Sequence, residues 1–163
     1  MNEDGRISVV YDCMIYLQGL AHETGPAVEC LRLFEDRVVS LAVSDEILDE
    51  VEDVLARPFL QAKFRHLTAE RARDLVILLK ARAHYFDRVP QVFDYPRDRN
   101  DEKYINLAIA ANVDYLVSRD NDLLDLMTGH SDEAKAFRQR YRSIKVVSPV
   151  DFIHIIRVRA LKA

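Results

Sequence analysis

Short apolar runs alternate with longer helical patterns along this chain, and this alternation constrains the fold more than any other feature of the sequence. Four runs rich in β-branched or aromatic residues predict strands, at 7–11, 39–43, 115–118 and 144–147. Strands that alternate with helices form βαβ units, whose strands are parallel. The sequence therefore predicts an α/β fold with three layers, α/β/α, and a mainly parallel central sheet.

Local signals place the boundaries of four helices. Ser44 and Ser148 precede helical patterns and are suited to accept from the free backbone N–H groups of a helix N-terminus. Asn112 is suited to the left-handed conformation that ends many helices. The predicted helices are 45–55, which ends at Arg57-Pro58, then 68–84, 101–112 and the closing segment after Ser148-Pro149.

Size and composition are typical of one compact domain. The chain has 163 residues, of which 49% are hydrophobic, and a formal net charge of −4. Such a chain buries enough apolar surface to fold without a disulfide or a structural metal, so we predict a single domain over residues 1–163. We find no leader pattern and no membrane-spanning apolar run. We therefore expect a cytoplasmic protein in which Cys13 and Cys30 are reduced thiols.

The glycines and histidines argue against two common classes of site. Four glycines occur, and they match neither the dinucleotide-binding GxGxxG pattern nor the P-loop. Five histidines lie far apart, and none is paired with a cysteine at a zinc-ligand spacing. We therefore expect neither a nucleotide-cradling loop nor a zinc centre.

Acidic residues stand where predicted strands end, which is where open parallel sheets collect their ligands. Asp12 follows the first strand, and Asp120 follows the strand at 115–118. Asp101 begins the helix before that strand, and Glu50 lies in the helix after the second strand. With two neighbours in sequence, the candidate acids are Asp12, Glu50, Asp98, Asp101, Asp120 and Asp122.

Several carboxylates in one pocket require a cation, because like charges raise each other's pKa and resist burial. Carboxylate oxygens are the ligands that Mg²⁺ and Mn²⁺ prefer, and these ions retain waters that can act as nucleophiles. Such a site suits the hydrolysis of phosphodiester bonds. The residues therefore predict Mg²⁺ or Mn²⁺ and no other cofactor.

Each acid also has a plainer explanation. A helix start favours an acid at Asp101, and Asp120 and Asp122 lie in a run typical of turns. Glu50 is one of several acids in its helix and is equally well explained as a solvated residue. Asp12 is the hardest to place on the surface, because apolar residues lie on both sides of it.

Charge is unevenly distributed along the chain. Residues 1–56 carry 13 acids and 3 bases, whereas 57–88 carry 3 acids and 8 bases, and 135–163 carry 1 acid and 8 bases. This alternation allows a fold to place acids inside a basic rim, which suits a polyanion held by its phosphates. The plainer explanation of each basic segment is a solvated helix face.

Cysteine and tyrosine side chains near the acids have structural explanations. No histidine is near Cys13 in sequence, and adjacent carboxylates raise the pKa of a thiol, so we do not predict a nucleophile there. Cys30 is predicted to be a small core residue. Four tyrosines are suited to stacking on bases or, more simply, to the core with hydrogen-bonded hydroxyls. They are Tyr11, Tyr16, Tyr95 and Tyr104.

Four segments resemble the motifs of PIN-domain nucleases, and the resemblance extends over about residues 7–152. The nearest branch is the bacterial and archaeal proteins described as PIN-family toxins of toxin–antitoxin systems. The third and fourth segments are in order and at the family's spacing. The four are Val10-Tyr11-Asp12, 44–51 (SDEILDEV), 98–103 (DRNDEK) and 115–124 (YLVSRDNDLL).

This resemblance implies a PIN-like fold and a metal-dependent endoribonuclease, with a homodimer and a small antitoxin protein as expected partners. The catalytic residues would be Asp12, Glu50, Asp101 and Asp120, with Asp98 and Asp122 as accessory acids. The metal ligands would be Asp12, Asp98, Asp101, Asp120 and Asp122. Basic residues beside the acids are candidates for binding RNA phosphates, namely Arg97, Arg99, Arg119 and the segments 57–88 and 135–145.

Two departures from the family leave an alternative open. The family commonly has Thr and Asn after its first acid, whereas Cys13 and Met14 follow Asp12 here. A PIN module with a weakened site, which binds RNA or a protein partner, is therefore the alternative function. A receiver domain or an aspartate-nucleophile phosphatase fits less well, because the phosphatase needs a second Asp where Met14 stands and Lys145 lies too early in its strand for a receiver.

Overall fold

The structure is a computed structural model that describes residues 3–163. Its five strands are β1 (Ile7–Tyr11), β2 (Val39–Ser44), β3 (His84–Phe86), β4 (Tyr115–Val117) and β5 (Lys145–Val147). They form one sheet in the order β3-β2-β1-β4-β5, and every neighbouring pair in it is parallel. The prediction of a mainly parallel sheet is confirmed.

Helices cover both faces of this sheet and complete the three layers. They are α1 (Cys13–Ala21), α2 (Pro26–Glu35), α3 (Asp45–Leu55), α4 (Pro58–Lys63), α5 (Ala69–Arg82), α6 (Glu102–Ala111), α7 (Asn121–Thr128), α8 (Asp132–Arg140) and α9 (Pro149–Lys162). Because β2 and β4 lie on opposite sides of β1, right-handed crossovers place α1 and α2 on one face and α6 on the other. Within residues 3–163, no helix is long and apolar enough to cross a membrane.

Three of the predicted helix ends are confirmed, at Ser44, Ser148 and Asn112. Ser44 accepts from the N–H of Ile47 at 3.3 Å, and Ser148 accepts from the N–H of Asp151 at 3.2 Å. Asn112 ends α6 with φ 46° and ψ 52°. These signals are readable from sequence because each depends on residues only a few positions apart.

One boundary differs through the formation of an edge strand. The helix predicted over 68–84 ends at Arg82, and residues 84–86 form β3 instead. His84 and Tyr85 are exposed, so the strand has no apolar alternation to reveal it. Parallel pairing with the backbone of β2, which a sequence pattern does not record, holds it in the sheet.

Other differences come from helices without a readable period. Most of α1 is buried, so its side chains show no apolar stripe against a polar face. The sequence analysis assigns Pro58 only to the end of a helix, yet it begins α4, where proline is tolerated at the first position. Asp101 belongs to a 3₁₀ turn, Arg99–Asp101, and α6 begins one residue later than predicted.

The side chain of Tyr11 in β1 contacts the helices that cover one face of the sheet. Its ring lies edge-on to Phe152 of α9 and Tyr16 of α1, with centroid distances of 6.3 and 6.1 Å. Its hydroxyl donates to the carbonyl of Cys30 in α2 at 2.9 Å. All five residues of β1 are buried. The strand is therefore held on both faces, and its carboxyl end is a fixed position in the fold.

Asn112 provides a test of the helix end. The variant Asn112→Val should lower the free energy of unfolding by about 1–2 kcal/mol, because a β-branched residue at positive φ is strained. Asn112→Gly should be nearly neutral, since glycine adopts this conformation readily. Urea denaturation compares the two variants. A valine variant as stable as the wild type would contradict the left-handed geometry.

Candidate metal centre

Two of the candidate acids meet through Ser118, at the carboxyl ends of β1 and β4. The Ser118 hydroxyl donates to Asp12 Oδ2. The oxygen of that hydroxyl, Ser118 Oγ, accepts from the N–H of Asp120 at 2.9 Å. The N–H of Asp12 donates to the carbonyl of Val117 at 3.2 Å, which continues the contact between the two strands. Strand pairing therefore brings Asp12 and Asp120 to one serine.

Both acids also begin helices. Asp12 accepts from the N–H of Ile15 at 3.2 Å at the start of α1, and Asp120 accepts from the N–H of Asp122 at 2.8 Å at the start of α7. A short acidic side chain at this position satisfies a free backbone donor and interacts favourably with the helix dipole. The plainer explanation of Asp120 as a local capping acid is thus compatible with a role in a site.

The 3₁₀ turn before α6 brings in two more acids. Asp98 accepts from the N–H of Asn100 at 3.0 Å, and the N–H of Asp101 donates to the Asp98 carbonyl at 3.2 Å. Asp101 is 7% exposed, and within residues 3–163 its Oδ2 has no hydrogen-bond partner. A buried carboxylate oxygen without a donor is costly. This atom therefore points to a positively charged ligand.

Four carboxylates converge at this place, and one oxygen from each lies within 4.8 Å of those of the other three. These residues, named the acid centre below, are Asp98, Asp101, Asp120 and Asp122. A set of hard oxygen donors around one unpartnered buried carboxylate fits a divalent cation such as Mg²⁺ or Mn²⁺. The acid centre could hold a metal ion, and Asp12 and Glu50 are not among these four.

Burial and like charge raise the pKa of two acids. The pKa of Asp101 rises to about 8, first because it is buried and then because Asp120 and Asp98 lie close to it. The pKa of Asp12 rises to about 6, mainly through burial, although the hydrogen bond from Ser118 opposes the rise. A cation at the acid centre would favour the ionised form of each group.

Two buried polar residues of α6 form hydrogen bonds with the loop that precedes Asp98. The sequence analysis did not identify either of them as a site residue. Asn106 accepts from two successive loop N–H groups at 2.9 Å and donates to the carbonyl of Phe93 at 3.1 Å. Glu102 accepts from the N–H of Tyr95 at 3.1 Å. An asparagine inside an otherwise apolar helix pattern is the signal that could have identified Asn106.

Glu50 is not one of the four residues of the acid centre, and two residues of α6 bind its carboxylate. Lys103, whose side chain is 9% exposed, donates to Glu50 Oε2 at 2.6 Å, and the Tyr104 hydroxyl donates to Oε1. The Tyr104 oxygen in turn accepts from the N–H of Cys13 at 3.0 Å. The charge of Glu50 is therefore met by a lysine, and the residue connects α1, α3 and α6.

The three arginines predicted to bind phosphates have different surroundings. Arg97 pairs with Asp122 at 2.6 Å and with Asp125 at 2.7 Å. Arg99 pairs with Glu102 at 2.9 Å. Arg119 is exposed and has no ion-pair partner in the described part of the chain. The guanidinium best placed to meet an external phosphate is therefore that of Arg119.

The cysteines and tyrosines follow their structural explanations. Burial, followed by the charge of Glu50, raises the pKa of Cys13 to about 12, which disfavours a thiolate nucleophile. Burial also raises the pKa of Cys30 to about 12. The four tyrosines near the acids are all buried and cannot stack on a bound base. Met14, in contrast, is 44% exposed.

A family model described as PIN domain matches residues 8–122, which is more than half of the chain. The chain belongs to the PIN-domain family. The matched residues include Asp12 and all four members of the acid centre, so the resemblance of the sequence motifs is confirmed. A PIN domain suggests nuclease activity, since PIN domains are generally metal-dependent nucleases. A comparison with curated proteins finds no match.

Asp101 should make the metal-free PIN domain less stable as pH rises. Its pKa is about 8 in the folded state, against an ordinary value of 3.8. Between these values the unfolded chain releases a proton that the folded protein retains, so the free energy of unfolding should fall with increasing pH and level off above about pH 8. Urea denaturation in EDTA at about pH 5 and about pH 8 measures this slope.

Asp101→Asn should reduce that slope, because it removes the titrating group, whereas Asp132→Asn, at an exposed acid, should leave it unchanged. If the slope for Asp101→Asn equals that of the wild type, the pKa of Asp101 in the folded protein is not raised.

Proposed function

We propose that the protein is a metal-dependent endoribonuclease that hydrolyses phosphodiester bonds of RNA at the acid centre. The observation that carries this proposal is Asp101, a buried carboxylate with an unpartnered oxygen beside three other acids. A divalent cation would offset that charge and supply the missing partner. Membership of the PIN-domain family supports the same chemistry.

The acid centre would hold Mg²⁺ or Mn²⁺ through Asp98, Asp101, Asp120 and Asp122. When bound, such an ion supplies an activated water and offsets charge that develops on the phosphate. Asp12 adds a negative charge beside the acid centre, and its carboxylate is oriented by Ser118 and the N–H of Ile15. Its predicted role as a direct ligand remains a proposal.

Cations of the chain would hold the rest of the substrate. Arg119 is bonded in sequence to Asp120 of the acid centre, and its exposed side chain suits an RNA phosphate. Arg97 and Arg99 would first have to exchange their carboxylate partners for phosphates. We therefore propose Arg119 as the principal phosphate contact and the basic segments 57–88 and 135–145 as secondary ones.

The biological setting is proposed from the resemblance of the four sequence motifs. It supports the toxin of a toxin–antitoxin pair, a homodimer, an antitoxin protein as partner and a location in the cytoplasm. The weakened, RNA- or protein-binding PIN module is the second candidate, supported by Cys13 and Met14 in place of Thr and Asn. All candidate acids are retained, which favours catalysis.

Cleavage assays should decide between catalysis and binding alone. Purified protein is incubated with labelled RNAs of several sequences in Mn²⁺ or Mg²⁺, with and without EDTA. We expect cleavage that requires metal and that falls by about a thousandfold in Asp101→Asn, because a lost charge-stabilising group in an active site costs rates of this order. Asp132→Asn, the exposed control, should retain full activity. Equal inactivity of the wild type and Asp101→Asn on every RNA would favour the binding module.

Glu50 should behave differently from the acid centre when metal is bound. We expect Glu50→Gln to weaken Mn²⁺ binding by less than about tenfold, since it neutralises a charge that Lys103 already offsets. Asp101→Asn and Asp120→Asn should each weaken it by about a hundredfold or more, because they remove proposed ligands. Isothermal titration calorimetry gives all three affinities. A Glu50→Gln variant as impaired as Asp101→Asn would make Glu50 a ligand.

A further inference from the structure

A small apolar cavity lies near the carboxyl ends of β4 and β5, and two of its wall residues are close in sequence to the acid centre. Its volume is about 230 Å³, and its walls come from the first residues of α2 and α9, from Leu124 of α7, and from Arg119. The α2 and α9 walls are Pro26, Ala27, Ser148, Pro149 and Val150. Val150 is 62% exposed, although it begins a helix whose next turn enters the core through Phe152 and Ile153. The cavity therefore presents apolar surface to a ligand from outside.

The cavity and the acid centre share one turn of chain. The N–H of Leu124 donates to the Asp120 carbonyl at 3.0 Å, so the wall residue lies one helical turn from a member of the acid centre. Arg119 is bonded in sequence to Asp120 and lines the same cavity. A short segment of chain, residues 119–124, therefore contributes both to the cavity and to the acid centre.

The charges select the kind of molecule. The acid centre repels an anion unless a cation is bound there, whereas Arg119 offers a positive charge without a carboxylate partner in residues 3–163. A ligand that suits both the arginine and the apolar walls has an anionic group attached to a flat, weakly polar body. A nucleotide has this chemistry, with its phosphate on Arg119 and its base against the apolar walls.

We propose that this cavity is a nucleotide subsite, which receives the base of the RNA residue next to the phosphodiester at the acid centre, while Arg119 binds that residue's phosphate. The proposal rests on the proposed function, because it assigns the base in the cavity to an RNA whose backbone is cleaved at the acid centre. The site is distinct from the buried tyrosines, which offer no stacking surface. It explains why apolar side chains and an unpaired arginine occur together at this edge of the sheet.

Binding measurements test the subsite without cleavage. Fluorescein-labelled hexamers of uridine and of adenosine, and the same backbone without bases, are titrated with wild-type protein in EDTA, with fluorescence anisotropy as the readout. We expect at least one hexamer with bases to bind about fivefold to tenfold more tightly than the abasic one, because a base that contacts the cavity adds affinity of this order.

Two uncharged substitutions should separate the roles of base and phosphate. Val150→Asn should weaken binding of the hexamers with bases to the level of the abasic one and leave the abasic hexamer unchanged. Arg119→Gln should weaken all hexamers alike and reduce the salt dependence by about one phosphate contact. Leu161→Asn, an 87% exposed position on the same helix, and Arg32→Gln, an exposed arginine outside the proposed basic segments, are the matched controls and should change neither.

Equal binding of the abasic hexamer and both hexamers with bases would overturn the subsite, as would a Val150→Asn variant that binds every hexamer like the wild type. Urea denaturation verifies that each variant is folded. Failure of the nuclease proposal gives a different result. In that case base-dependent binding through Val150 and Arg119 persists, while no RNA is cleaved in Mn²⁺ or Mg²⁺.

Discussion

Parallel pairing of β1 with β4 is the constraint on which the candidate site depends. The paired residues, Val10 with Leu116 and Tyr11 with Val117, are 106 positions apart in the sequence. Their carboxyl ends meet at one edge of the sheet, where Asp12 and Asp120 share the hydroxyl group of Ser118. Tyr11 holds β1 against α2 and α9, so this edge is supported by the core. Of the acid centre's four residues, Asp120 is positioned at this edge, whereas Asp98 follows a loop that Asn106 and Glu102 hold.

Electrostatic repulsion is the cost of this arrangement. Burial and neighbouring carboxylates raise the pKa values of Asp101 and Asp12, so the metal-free acid centre favours protonated acids that a cation would ionise. The acids of this region differ in whether a cation is paired with them. Glu50 is met by Lys103, and Asp122 by Arg97, whereas the inner oxygen of Asp101 has no donor among the described residues. Among the described residues, Arg97 thus offsets only part of the negative charge of the acid centre.

Two regions close to these acids in the sequence differ in their packing. The side with Glu50, Lys103 and Tyr104 is closed by hydrogen bonds and joins three helices, which suits positioning. The cavity lined by Arg119 is mainly apolar and lies at the first turns of α2 and α9, where we propose that a nucleotide binds. The two residues after Asp12 that depart from the family pattern differ in burial. Cys13 is buried beside Glu50, and Met14 is exposed.

Features that depend on neighbours in sequence were predictable here, including strand-forming runs, the caps Ser44 and Ser148, and the left-handed Asn112. The acids themselves were recognised for the same reason, since their motifs are short and local. Which acids converge was a different matter, because it depends on strand order and on the loop held by Asn106, and neither leaves a periodic pattern. Tertiary structure showed which four of the candidate acids lie closest together, paired Glu50 with Lys103, and left Arg119 without an ion-pair partner among residues 3–163. Pairing and burial between distant segments decide such outcomes, and the local pattern of side chains carries no record of them.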